Sequence, residues 1–185
     1  MPKPTAPHNP GSLALGGGST RLNEQTRSRR AESLAARLET GAALLAEYAE
    51  GLTEDQWKSR VKDGRTIGVI VHHVASMYPI EMEAARTIAS GKPFVGVTWE
   101  NIAELNAQHA GEHGAVTKPV ALALLRRNSQ EAAAGVRMFS DAELDTAAAF
   151  SLSFDAPMTA QFVIEDHALR HSWHHLARIK AALRL

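Results

Sequence analysis

Nine histidines and no cysteine stand in this 185-residue chain. Two stretches are dense in them: Val71-His72-His73-Val74, and His167 through His171, His174 and His175. Neutral imidazole is the commonest protein ligand for a divalent transition metal, and His171 and His175, four residues apart, would stack on one face of a helix. Such a pair, with a third histidine from another helix, supplies three protein ligands and leaves a position for water or substrate. The absence of cysteine excludes disulfides, Cys-ligated zinc, iron–sulfur clusters and a cysteine nucleophile. Any thiol chemistry would need a thiol from outside the chain.

The elements that must position these histidines are helices. Leu34, Leu38, Leu44, Leu45 and Tyr48 recur at near-helical spacing until Gly51, which predicts a first helix over about 31–50. A second begins after Thr66, whose hydroxyl can cap it, carries Ile67, Ile70, Val74, Met77 and Ile88 to Gly91, and should kink at Pro79. A long connection over 91–116 contains a short helix from Thr98 to His109. The third long helix runs from Thr117 to about Phe139, and the fourth from about Met158 or Ala160 to the C-terminus. Val61 and Phe150-Ser-Leu-Ser-Phe154 look strand-like but are too short to build a sheet. Two helix ends look alike, Gly51 to Trp57 and Phe139 to Leu144, each with a Ser or Thr cap followed by acidic residues. The expected class is all-α, a four-helix bundle with a long connection between its second and third helices. One domain over 29–185 is expected, behind a disordered Pro/Gly-rich and basic arm over 1–28.

Helical geometry selects among the histidines. With His171 at 0° and about 100° per residue, His175 falls near 40°, inside a stripe formed by Ile164, Ala168, Ile179 and Ala182. His174 and His167 fall at its margin, at roughly −60° and −40°. On the second helix His73 shares a face with Ile70, Met77, Ala84 and Ile88, whereas His72 comes out at the edge, about −100° away. Three imidazoles in apolar stripes are either separately hydrogen-bonded core residues or ligands of one shared ion. His109 and His113 repeat the four-residue spacing, but Gly111 and Gly114 argue against a rigid helix there and assign them structural or surface roles. His8 lies in the arm.

Charge and hydropathy narrow the partners. Lys+Arg and Asp+Glu balance at 20 each, so no overall positive field gathers nucleic acid or anionic lipid, and neither is expected as a partner. No apolar run approaches the roughly 20 residues that span a bilayer, and no secretory signal is evident, which points to the cytoplasm.

Three segments resemble the DinB-like (DinB/YfiT) superfamily of metal-binding four-helix bundles: Gly51-Leu-Thr-Glu-Asp-Gln-Trp57, Arg65 through His72-His73 to Ala75, and His171-Ser-Trp-His-His175 with its apolar continuation to Leu183. Carried over residue by residue, the resemblance implies that His73, His171 and His175 hold one divalent metal. It also implies thiol-dependent transfer or isomerisation with mycothiol, bacillithiol or glutathione, acting on a small-molecule substrate, and suggests a homodimer. Three imidazoles suit zinc or nickel first and iron next. The principal expectation is therefore a transferase or isomerase in which the metal ionises an external thiol. A metal-dependent hydrolase would instead need a base, for which Glu81, on the apolar face of the second helix, is the first candidate and Glu165 the second. The third alternative is a non-catalytic bundle, stabilised by its metal, with a stress or interaction role.

Overall fold

A computed structural model describes residues 28–183; the proposed N-terminal arm lies almost wholly outside them. The long helices are α1 (Arg29–Glu50), α3 (Ile67–Ala89), α5 (Lys118–Val136) and α8 (Arg170–Ala182), with short helices α2 (Glu54–Lys58) and α6 (Asp141–Asp145). Helix α4 (Trp99–Glu112) occupies the long connection. Helix α7 (Ala160–Val163) runs through a π-helical segment, Ile164–Leu169, into α8. Among the described residues no helix is long and apolar enough to cross a membrane.

Caps set most of these starts. Ser28 and Thr66 accept from the Ala31 and Val69 amides. Thr53 with Gln56, Thr98 with Asn101 and Ser140 with Glu143 form reciprocal capping boxes, which satisfy amide donors that an uncapped first turn leaves free. The two similar helix ends thus become the similar short helices α2 and α6. Helix α3 continues through Pro79.

Helices α1 and α3 each pack along both α5 and α8, so the four-helix bundle places α1 and α3 on a diagonal. Its core comprises Leu34, Leu38 and Leu45 from α1, Ile67, Ile70 and Val74 from α3, Leu125 from α5, and Ile179 from α8, all buried. Trp57 closes one end, 3% exposed, and its indole donates to the Val116 carbonyl at 3.1 Å. This requires a close approach to α3: a Cβ on Gly68 would lie 2.6 Å from the Trp57 indole nitrogen. Gly68→Ala should therefore cost about 1–3 kcal/mol through overpacking, read as a lowered denaturation midpoint with an unchanged m-value.

Two features differ from expectation. A small sheet does form: β1 (Ala147–Phe150) pairs antiparallel with β2 (Ala156–Thr159), and Phe94 bridges to Phe150. The strand-like segment at 150–154 is largely the turn of this hairpin, with Phe154 and Asp155 at positive φ. The fourth helix is also not uniform. A π segment inserts an extra residue per turn and shifts the helical phase. Beyond it the buried residues are Ser172, His175, Leu176 and Ile179, a stripe centred roughly 90° from His171. His171 therefore stands at the edge of the packed stripe and His175 within it.

Candidate metal centre

Helix α3 supplies His73 and α8 supplies His171 and His175, and one ring nitrogen from each lies within 4.8 Å of the other two. The Nε2 atoms of His73 and His171 are 3.2 Å apart. Ligands about 2.0–2.1 Å from a tetrahedral zinc stand about 3.3 Å from one another, so these two nitrogens already have the spacing of neighbouring ligands. The His171 and His175 ring centroids are 5.0 Å apart, and those of His73 and His175 5.6 Å. His175 is 4% exposed and its Nδ1 has no hydrogen-bond partner. A buried imidazole left this way loses the hydration it had in the unfolded chain unless something else binds it.

Glu81 organises the pair. Its Oε1 lies 2.6 Å from His171 Nδ1, so the Nδ1–H donates to the carboxylate and the Nε2 lone pair is turned toward His73. This is the usual outer support of a ligating histidine, fixing tautomer and ring orientation. The sequence expectation had Glu81 as a base; the structure engages one of its oxygens with His171, and the other, Oε2, is buried without a partner. Glu165 is elsewhere: Arg37 donates to it at 2.9 Å across to α1, so it lacks the position of a second base.

Burial keeps His73 and His175 neutral. Burial, reinforced by neighbouring His171, Arg65 and His109, pushes His73 down to about 2 against the opposing charge of Asp63. Burial likewise pushes His175 well down, with His171, His73, Arg65 and His174 adding to it. Both lone pairs are therefore available at neutral pH. The sign follows for the metal-free protein. Below about pH 6.5 the unfolded chain protonates these two histidines while the folded chain does not, so stability falls as pH falls. Each contributes a slope of about 1.4 kcal/mol per pH unit below that point. Denaturant titrations of metal-free protein between pH 7 and pH 5 should show the midpoint dropping toward acid; an unchanged midpoint would contradict neutral burial.

The remaining histidines divide. His174 is exposed and His167 half-buried, its ring edge-on to Phe150 at 5.2 Å; neither joins the three. His72 turns away from His73, with its Nδ1 2.9 Å from His109 Nε2. Helix α4 persists through Gly111 to Glu112, with His113 as its C-cap, contrary to the expectation drawn from Gly111 and Gly114. His72, His109 and His113 form a second group with nitrogens within 4.8 Å. The repeated four-residue spacing was the signal for it, and α4 forms with a Thr98–Asn101 capping box at its start and packs against α3.

The first group opens on a cavity of about 600 Å³ between α3, α4, the β hairpin and the π segment, lined by Met77, Trp99, Ile102 and Leu105 among others. Arg65, Arg170 and Arg178 also line it. Arg65 donates to Asp63 at 2.9 Å, yet its Nη1 is buried without a partner. Burial would raise the Asp63 carboxyl, but bonds from Arg65 and Arg178 outweigh it and hold the pKa at about 2. Arg65 opens one of the three segments that carry the family resemblance, where it has no assigned role.

The sequence model of the DinB superfamily matches residues 37–179. Two solved structures share the fold. YfiT from Bacillus subtilis, described as a probable metal-dependent hydrolase with an unusual four-helix bundle topology, aligns with a TM-score of 0.67 at 20% identity, covering 85% of this chain and 88% of YfiT. The colibactin self-resistance protein ClbS, solved in complex with double-stranded DNA, aligns with a TM-score of 0.66 at 17% identity, covering 83% of this chain and 95% of ClbS. A search of curated proteins by sequence gives no significant match. The ClbS complex overturns the exclusion of nucleic acid drawn from net charge. A balanced total averages over local basic surface, and a bundle of this shape accommodates a DNA partner.

Proposed function

The chain belongs to the DinB superfamily, and from that premise we propose that it is a divalent-metal enzyme whose His73, His171 and His175 hold the ion at the floor of the α4 cavity. The observation that carries this reading is the Glu81–His171–His73 line: a carboxylate fixes one imidazole so that its Nε2 faces another Nε2 at 3.2 Å. Three imidazole donors suit zinc, nickel or iron. With a divalent ion held there, a bound thiol or water would be acidified and a nucleophile would be available near neutral pH.

The chain's own residues do the rest. His73 and His175 stay neutral and available, Glu81 holds the His171 tautomer, and the apolar wall from α4 limits water. The unpartnered Nη1 of Arg65 favours a small substrate carrying a carboxylate or comparable anion, whereas Arg170 and Arg178 on the same cavity are already paired with Asp166 and Asp63. An external thiol such as mycothiol, bacillithiol or glutathione is the preferred nucleophile, as the family resemblance implies, and the chain has no cysteine of its own to compete with it. Hydrolysis is the second reading, favoured by the likeness to YfiT. Metal-loaded protein is to be assayed on electrophilic and ester substrates with and without each thiol. Turnover that requires both metal and thiol supports transfer or isomerisation. Metal-dependent turnover without thiol selects hydrolysis, and no metal-dependent turnover in either format would favour a stabilising metal.

A further inference from the structure

We infer that His72, His109 and His113 form a second transition-metal site, one that clamps the end of α4 to α3. His72 is 7% exposed on α3, and its Nδ1 meets His109 Nε2 at 2.9 Å. The His113 ring lies 4.0 Å from the His72 ring and 4.6 Å from the His109 ring, centroid to centroid. One nitrogen of each is within 4.8 Å of the others. Hydrogen bonding within the chain engages only part of this group: His72 Nδ1 meets His109 Nε2 and, at 3.3 Å, the Ser76 hydroxyl, while among the described residues no hydrogen bond holds the His113 ring, and the other His109 ring nitrogen, Nδ1, is buried without a partner. A donor set of imidazoles alone suits borderline ions such as zinc, nickel or copper, and not the oxygen-seeking magnesium or calcium.

The position explains what the site would do. Helix α4 has no fully buried residue, so apolar burial gives its last turn little hold, and Gly111 further weakens that turn. An ion shared by His109 and His113 from one side and His72 from the other would fix it. Helix α4 also carries Trp99, Ile102 and Leu105 on the wall of the cavity above the first histidine group. His72 and His73 are adjacent, so α3 presents one imidazole to each group, and the His73 and His109 rings are 5.5 Å apart. Metal at the second group would thus hold the cavity wall in place without entering the first group.

The test uses untagged protein stripped with chelator, reloaded with Zn²⁺ and measured by native mass spectrometry. Wild type should bind two equivalents, His113→Ala one, and His171→Ala one; the double variant should bind none. His113 is only half-buried, and His113→Asn provides a second variant that removes the ligand while keeping a polar side chain. Hydrogen exchange over 99–113 should slow on adding Zn²⁺ in wild type and His171→Ala, but not in His113→Ala or His113→Asn. Wild type holding a single ion that His171→Ala removes would overturn the second site, as would unchanged stoichiometry in both His113 variants. Failure of the first site reads differently: His171→Ala would then keep the wild-type count.

Discussion

His73→Ala should remove one equivalent of metal and abolish metal-dependent turnover. His73 is a cleaner position to vary than His171, because its only side-chain hydrogen-bond contact among the described residues is His171 Nε2, whereas His171 also holds Glu81. Truncation leaves two imidazoles, His171 and His175, on one helix face, with none from α3 to close the site. The loss in affinity should exceed the roughly 10–100-fold that removal of an outer supporting residue costs. Changing His171 gives the same loss of metal but also strips Glu81 Oε1 of its partner, leaving a buried carboxylate that is costly to the fold. Elemental analysis after chelation and reloading reads the result. His174→Ala is the control: His174 is exposed beside His175 and should retain the full count.

Glu81→Gln should weaken metal binding by about 10–100-fold while leaving the fold intact. Glutamine can still accept the His171 Nδ1–H, but without the charge that makes the present 2.6 Å bond strong. Glu81→Ala, which removes the acceptor altogether, should weaken binding further. A competition titration with a chromogenic chelator measures this directly. The alternative role separates cleanly. If Glu81 acted as the base, both variants would hold metal at wild-type affinity, and turnover on saturation with metal would fall and lose the acidic limb of its pH profile. If Glu81 is a positioning residue, saturating metal should restore most of the turnover in Glu81→Gln.

Much of this arrangement was legible in the residues. Helical period placed α1, α3, α4 and α5 close to their observed bounds, with Thr66, Thr98 and Thr117 before three of them and Gly51 and Gly91 after two. The same period turned His73, His171 and His175 inward and put His174 at the margin. Three things were not legible, each for a physical reason. A uniform 100° advance cannot foresee the π segment at 164–169, which depends on how the chain packs against α3 and α1 and which sets His171 at the cavity edge. The propensity cost of Gly111 was overridden by the Thr98–Asn101 capping box and by packing against α3, so the histidine group at 72, 109 and 113 was dismissed. The partner of Glu81 was hidden because it lies 90 residues away in sequence. A carboxylate on an apolar face signals that something satisfies it, without saying whether that is a substrate proton or a histidine.

The most direct measurement is an anomalous-scattering crystal structure of untagged protein reloaded with zinc, with data collected on both sides of the zinc edge. The expected result is a peak within about 2.0–2.2 Å of a nitrogen from each of His73, His171 and His175, with a remaining position open to the cavity. Full zinc stoichiometry in solution with no anomalous peak among those three residues would contradict a three-histidine centre.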